Sequence, residues 1–435
     1  KNIISKNVKV GNRKMAMSGV RKNFSYLFGI LTVAMYFIGL IIINRGLGFR
    51  NAMIIVSALI AYYIANVYNV ATNKYKLKDM TTVIVINGIL MTITTFSKIF
   101  TFYEGIILFG IITIFQIAFR YIVIMGVVEK ERVVFVGEND YTEDLLESVK
   151  KDGQYVFVTS LNNTDMKVLG KEILELYNTK KFDVLVDFTD KLLRDPKITE
   201  KLLQYKLEGL QYYNYLEFYE TYENKLPISH LSPKWFLENT GFEIYHNNFN
   251  LKAKRLLDLL FALLIGIFAA PVIVLAAIIV KLESKGPVFF IQERIGEGNK
   301  KFNIVKFRSM TTDAEKDGPQ WASKNDNRVT KFGKIMRATR IDELPQLWNV
   351  LRGEMSFVGP RPEREFFIQQ LEKEIPYYNL RHTVKPGLTG WAQVMYPYGA
   401  SVEDAYRKLQ YDLYYIKHHS IPFDVKVLLK TVTIV

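Results

Sequence analysis

The sequence predicts a membrane α-helical bundle joined to α/β and α-rich parts: four N-terminal transmembrane helices, an α/β middle domain, and a C-terminal α-rich domain carrying a re-entrant membrane helix hairpin. Three observations predict it. Apolar residues are 49% and aromatic residues 14% of the 435, rich for a soluble protein. Four apolar runs, at about 24–43, 52–70, 80–97 and 105–125, each approach the roughly 20 residues that cross a bilayer core. Beyond them, short β-branched segments alternate with helical ones until a last apolar run, Leu259 to Val280.

Residues 1–23 read as a basic cytoplasmic leader with Lys1, Lys6, Lys9, Arg13, Lys14, Arg21 and Lys22. No small-residue cleavage site follows the first apolar run, so no cleavable signal is expected, and a first residue other than Met points to a piece of a longer chain. The four runs form a transmembrane region over 24–128. Its second loop carries Lys74, Lys76 and Lys78, whereas the first has only Arg45 and Arg50 and the third sets Lys98 against Glu104. Cytoplasmic loops hold the Lys/Arg excess, so both ends of this region are expected in the cytoplasm. The net charge of +14 lies at the flanks of apolar segments rather than on one aromatic-interleaved motif, which argues against a nucleic-acid partner. Without cysteine the chain has neither disulfides nor thiolate zinc sites.

Residues 131–250 are predicted to form a Rossmann-like cytoplasmic domain. Arg132 to Gly137, Tyr155 to Val158 and Phe182 to Asp187 read as buried parallel strands, with helices such as Asp144 to Lys151 and Lys191 to Lys206 between them. Gly137-Glu-Asn-Asp-Tyr-Thr142 lacks the second and third glycines that admit a pyrophosphate, so a structural or regulatory role is favoured over an NAD site.

Leu259 to Val280 contains no charge and hydropathy alone makes it a span. Yet Lys252, Lys254 and Arg255 precede it, and Lys281, Lys285, Arg294, Lys300 and Lys301 follow it, so both flanks carry the cytoplasmic signature. Pro271 removes a helical N–H bond near the middle. A re-entrant helix over about 256–282 satisfies both facts. Lys254, Arg255 and Asp258 at its mouth suit a lipid phosphate at headgroup level, against the alternative of ordinary snorkelling charges.

Asp342 and Glu343 open an apolar-periodic segment, Leu344, Leu347, Trp348 and Leu351, with Pro345 fitting only a first helical turn. A helix N-terminus suits carboxylates and phosphates alike. Alone, such a pair is more often a solvated cap. Arg337, Arg340, Arg352 and Arg361 surround it in sequence, and two stiff loops follow, Val358 to Pro362 and Lys385 to Gln393. His418 and His419 are adjacent and cannot share a metal at helical spacing. Glu403, Asp404 and Asp412 are expected on a solvated helix face. Trp391 suits either stacking on a base or core packing.

On these residues the chain resembles the monotopic phosphoglycosyl transferases. The resemblance runs from about Lys252 to the end through Lys254-Arg-Leu-Leu-Asp258, Gly286-Pro-Val-Phe-Phe-Ile-Gln-Glu-Arg294, Lys306-Phe-Arg-Ser-Met310, Asp342-Glu-Leu-Pro345, Gly359-Pro-Arg-Pro362 and Pro386-Gly-Leu-Thr-Gly-Trp-Ala-Gln393. It implies a catalytic domain over 251–435 and a re-entrant helix, although Ala270-Pro271 stands where relatives usually have Ser-Pro. It further implies transfer of a sugar 1-phosphate from a UDP-sugar to undecaprenyl phosphate, with Asp342 as nucleophile in an acyl-phosphate and UMP released, as the first membrane step of polysaccharide assembly. Mg²⁺, with Mn²⁺ as substitute, is expected on Asp342 and Glu343, because a hard cation needs only one or two carboxylates beside phosphate oxygens. The matching motifs put Gln292, Arg294, Lys306, Arg308 and Arg361 in the substrate site, and Gly387, Thr389, Gly390, Trp391 and Gln393 in the nucleotide loop; Arg337, outside those motifs, is expected to hold phosphate oxygens with Arg361 and Arg308. The implied location is the bacterial inner membrane, multi-pass, with the site on the cytoplasmic face; the bilayer and a second copy of the chain are further expected partners. Two other readings are a membrane-anchored nucleotide-sugar dehydratase or epimerase, and a scaffold for later glycan-assembly enzymes.

Overall fold

The computed structural model describes residues 26–43, 45–46, 48–64, 77–126, 130–152, 155–179, 181–189, 191–242, 248–312, 314, 327–396, 399 and 401–432. The basic leader and the loop lysines Lys74 and Lys76 lie outside these residues. The chain divides into two compact units, residues 1–223 and 224–435.

The first unit opens with four apolar helices: α1 (Tyr26–Ile42), α2 (Phe49–Ile64), α3 (Leu77–Phe96) and α4 (Phe102–Gly126). Of these, α4 is long and apolar enough over Phe102–Ile122 to cross a membrane, while the apolar stretches Tyr26–Ile42, Phe49–Tyr63 and Val83–Phe96 are shorter. Large apolar side chains face outward, and polar groups collect inside, as expected of helices that meet an apolar surround. The hydroxyls of Tyr36 and Tyr62 lie 3.1 Å apart, Tyr62 donates to Asn87 Oδ1, and Asn87 Nδ2 donates to Thr113 Oγ1 at 2.8 Å and to Gln116 Oε1 at 3.1 Å. Arg45 donates to both Glu104 oxygens, at 2.9 and 3.2 Å, so the loop after α1 meets the first turn of α4. The sequence had opposed Glu104 to Lys98.

An α/β domain follows: β1 (Glu131–Val136), α5 (Thr142–Asp152), β2 (Tyr155–Leu161), α6 (Met166–Asn178), β3 (Val184–Asp187), α7 (Pro196–Leu207), β4 (Gln211–Asn214) and α8 (Tyr215–Glu223). Its sheet is parallel, in the order β2-β1-β3-β4. Alternate residues of β1 and β3 feed two cores, Val133 and Phe135 against Phe218 and Tyr219 on one face, Val134 and Val136 against Leu169 and Leu202 on the other. The continuous apolar runs of β1 and β3 announce this burial on both faces. Strand β4, Gln-Tyr-Tyr-Asn, has no such run and escapes a reading by hydropathy. At the end of β1, a Cβ on Gly137 (φ +75°) would sit 2.4 Å from Thr189 Cγ2, so this turn is already filled from β3.

The second unit contains α9 (Pro233–Glu238), α10 (Asn248–Glu283), the antiparallel pair β5 (Phe289–Ile295) and β6 (Lys301–Phe307), then α11 (Lys331–Ala338), α12 (Leu347–Arg352), β7 (Ser356–Val358), α13 (Glu365–Glu374), β8 (Gly387–Thr389), α14 (Trp391–Met395), α15 (Val402–Lys417) and α16 (Ile421–Val432). Strands β7 and β8 pair in parallel. The segment before α9 belongs here, with Leu226 N–H donating to Gln410 O at 3.0 Å, although the sequence places it before a boundary at 250. Helix α10 is long and apolar enough to cross a membrane and continues through Pro271. Its first turns and its last turns both rest on this unit, Asp258 on β7 and Val280 on Phe307 and Met336. Between them Ile267 and Phe268 are 70% and 73% exposed.

Candidate active site

The acid pair lies in a 3₁₀ turn, Ile341–Gln346, just ahead of α12, rather than in the first turn of an α-helix. Pro345 sits inside that turn. Arg340 enters it with φ +57°, an uncommon backbone state for a residue with a side chain. The expected apolar stripe is only partly buried, because Leu347 packs inward while Trp348 is 57% exposed.

The two carboxylates have opposite surroundings. Glu343 Oε1 accepts from Arg361 Nη2 at 2.8 Å and from Lys306 Nζ at 3.4 Å, with Arg340 Nη1 3.8 Å away. Burial opposes its charge, but Arg361 and Lys306 outweigh that and hold the carboxyl at about 2. Asp342 is buried too, and its Oδ1 has no hydrogen-bond partner among the described residues. Burial, then the Glu343 charge, raise the Asp342 carboxyl above its ordinary value, against Lys306, Arg337 and Arg340. Burial likewise lowers Lys306 to about 8, with Arg361 adding to the shift. One acid is thus pinned by cations and the other is left with an open oxygen.

Several devices hold these groups. Asn349, 1% exposed, accepts from Val305 N–H at 3.1 Å and donates to Asn303 O at 2.7 Å, locking β6 and hence Lys306 onto α12. Arg381 Nη2 donates to Arg361 O at 2.9 Å and lies 3.0 Å from Asp412 Oδ2, so a buried ion pair fixes the backbone of Arg361. Asp412 is 2% exposed, which corrects its expected place on a solvated face. Burial pushes its carboxyl up to about 6, against the Arg381 charge. Asn349, Arg381 and Asp412 carried no sequence signal, since a polar helix position looks the same whether it faces water or a buried partner.

Other predicted residues do not converge on the acid pair. Arg308 is buried and donates to Ser284 O, Lys285 O and Val280 O, closing the end of α10. Lys254 is held by Val358 O at 3.1 Å and Asp424 at 2.5 Å. Arg255 donates to Val350 O and Leu351 O, the last carbonyls of α12, and Asp258 accepts from Ser356 Oγ and Phe357 N–H at 3.0 Å each. The three residues at the base of α10 therefore brace the unit. Arg294 donates to Gln292 Oε1 at 2.7 Å and to Pro362 O at 3.2 Å, beside Arg361. Arg337 donates to Ser309 Oγ at 2.9 Å. In the loop around β8, Gly387 lies at the edge of the Arg361 pocket, Thr389 pairs with the Thr431 hydroxyl, Gly390 approaches Gly359 O, and Gln393 donates to Leu388 O. Trp391 is buried, its indole N–H donates to Asn224 O at 2.9 Å, and its ring packs on Phe423, which selects core packing over a base-stacking platform.

The described residues contain no group of three or more His, Cys, Asp or Glu that could hold a metal ion. A hard divalent cation does not need one. The open Asp342 Oδ1 beside a second carboxylate fits an ion that takes its remaining ligands from phosphate and water.

An acid pair under converging cations, on a domain with an exposed apolar helix, marks a class of protein that handles anionic groups at an apolar boundary. A family model described as bacterial sugar transferase matches residues 249–435. The UDP-N-acetylgalactosamine-undecaprenyl-phosphate N-acetylgalactosaminephosphotransferase of Aeromonas hydrophila is 42% identical over 226 residues, 52% of this chain and 52% of that protein. The UDP-glucose:undecaprenyl-phosphate glucose-1-phosphate transferase of Klebsiella pneumoniae is 45% identical over 188 residues, 43% of this chain and 40% of that protein. The exopolysaccharide production protein PSS of Rhizobium leguminosarum bv. phaseoli is 39% identical over 189 residues, 42% of this chain and 94% of that protein. The chain belongs to the bacterial sugar transferase family. It matches about half or less of the length of the first two relatives.

Proposed function

We propose that this chain transfers a sugar 1-phosphate from a UDP-sugar to undecaprenyl phosphate, through a covalent aspartyl intermediate, at the cytoplasmic face of a bacterial inner membrane. The observation that carries the reading is the split acid pair: Glu343 held by Arg361 and Lys306, and Asp342 with an oxygen that has no hydrogen-bond partner among the described residues. Asp342 Oδ1 attacks the sugar-linked phosphorus, the bond from that phosphorus to the bridging oxygen breaks, and its electron pair leaves with UMP. An oxygen of undecaprenyl phosphate then attacks the same phosphorus and the Asp342 carboxylate departs. Arg361, Lys306 and Arg294 offset the charge that otherwise repels an attacking anion. Asp342 and Glu343 would hold Mg²⁺, which supplies further charge neutralisation on phosphate oxygens; turnover should cease in excess chelator and return with Mg²⁺, and full activity in chelator would refute this. Incubation with a panel of UDP-sugars and undecaprenyl phosphate tests the whole reading: UMP and a lipid-linked sugar diphosphate are expected, and neither product from any donor would sink it.

The shifts give a pH profile. Asp342 acts deprotonated, so kcat/KM rises with pH through a value above that of an ordinary aspartate; Lys306 acts as an ammonium, so kcat/KM falls as pH passes about 8. Lys306→Arg should move the alkaline limb upward. An alkaline limb that stays in place in this variant would contradict the assignment.

A cytoplasmic site requires α10 to enter and leave by the same face. Anchoring of both its ends on one unit, its exposed apolar middle and Pro271 between them support a helix that dips into one leaflet. The contact of the loop after α1 with the start of α4 supports four crossings ahead of it, with both ends inside. Single cysteines near Lys252 and Lys300 should both resist a membrane-impermeant thiol reagent in spheroplasts and react after lysis, a clean signal in a chain without cysteine. Labelling of the Lys300 site alone from outside would make α10 a full span.

A further inference from the structure

Beside the acid pair lies a hole of about 10 Å³ whose lining includes Arg294, Lys306, Gln346, Arg361 and Gly387. That volume holds one water-sized atom and excludes a whole phosphate. Gln346 is 3% exposed, and its Nε2 has no hydrogen-bond partner among the described residues. A buried amide donor left without an acceptor is destabilising, so Gln346 Nε2 is suited to meet one. The 3₁₀ geometry explains where Gln346 points: residues three apart eclipse in such a turn, so Gln346 shares a face with Glu343, the carboxylate that Arg361 and Lys306 already engage. The lining brings two guanidinium side chains, an ammonium and a side-chain amide around the hole, all of which can donate.

We infer that this hole receives a single non-bridging oxygen of the sugar-linked phosphate, with Gln346 Nε2 as a direct neutral donor to it, an assignment that rests on the transferase reading above. As Asp342 Oδ1 closes on phosphorus and the bond to the UMP oxygen opens, charge gathers on the non-bridging oxygens, and a fixed donor aimed at one of them favours the transition state over the ground state. Because the hole fits one oxygen, it also sets the handedness of the bound phosphate: one of the two non-bridging positions points in and the other points out.

The test uses the full chain in detergent with UDP-sugars carrying sulfur at either non-bridging position of the sugar-linked phosphate. Sulfur is larger than oxygen and accepts hydrogen bonds poorly, so the wild-type chain should turn over one diastereomer at least about 10-fold more slowly. Gln346→Met, which keeps volume and removes the donor, should lower kcat on the oxygen substrate by about 10²-fold with little change in KM, as for loss of one oxyanion donor, and should shrink the diastereomer ratio. Gln346→Glu, which replaces the donor with an acceptor, should lose at least as much, and serves if the Met variant does not fold. Equal use of both diastereomers by the wild-type chain overturns the inference. So does a discrimination that Mn²⁺ or Cd²⁺ abolishes while Gln346→Met leaves it unchanged, since it then belongs to a metal ligand. Both results presuppose wild-type UMP release from the oxygen substrate; its absence with every donor removes the transferase reading and the oxygen hole with it.

Discussion

Asp342→Asn is expected to lose at least about 10³-fold in turnover and to retain no label from a donor labelled in its sugar-linked phosphate. The substitution changes little in size, but the amide cannot form an acyl-phosphate, and in the proposed mechanism the open Oδ1 is the atom that bonds to phosphorus. Folding should survive, because that oxygen has no hydrogen-bond partner among the described residues and the surrounding burial already disfavours the charge. Removing a buried carboxylate that the site keeps partly against its will should leave the melting temperature unchanged or slightly raised. Glu343→Gln acts differently, because it removes the negative charge that Arg361 and Lys306 share. Label retained on the Asn variant would remove Asp342 from the chemistry.

Gly359→Ala is expected to destabilise the second unit by about 3 kcal/mol or more, the upper range for overpacking. A Cβ at this position would lie 2.2 Å from Lys385 O and 2.9 Å from Gly387 N, both backbone atoms that cannot rotate away. The same backbone carries the parallel pairing: Gly359 N–H donates to Thr389 O at 2.9 Å, and Gly387 N–H to Pro360 O at 3.0 Å. Relief therefore needs β7 and β8 to separate, which moves Arg361, two residues on, away from Glu343. Thermal unfolding should fall by roughly 6–12 °C, and residual activity should drop with it. A variant that melts with the wild type and keeps full turnover would show that the close approach of these strands is not required.

The stiffness around the site was legible in the sequence because local rules dictate it, a proline-bounded turn at Arg361 and a proline beside the acid pair, whereas the contact of Arg361 with Glu343 appears only in the structure. The strands β1 and β3 were legible for a similar reason, since their continuous apolar runs can only be buried on both faces. What failed depends on distant partners. Arg308 and Arg255 look like anion binders, but each spends its fork on carbonyls at the end of a helix, α10 and α12 respectively. Asp412 shares α15 with Glu403 and Asp404, and only the approach of Arg381 from another segment makes its position buried. Gln346 was passed over because an uncharged amide beside an acid pair carries no pattern; its significance lies in an unfilled donor that only coordinates reveal.

The most direct test of covalent transfer is a rapid-quench measurement of UMP from the purified chain and a UDP-sugar before any lipid acceptor is added. Attack by Asp342 predicts a burst of UMP that stops near one equivalent per active chain, is absent in Asp342→Asn, and becomes steady turnover when undecaprenyl phosphate is supplied. UMP that appears only once the acceptor is present, with no burst beforehand, would mean that the lipid phosphate attacks the donor directly, and would contradict the account.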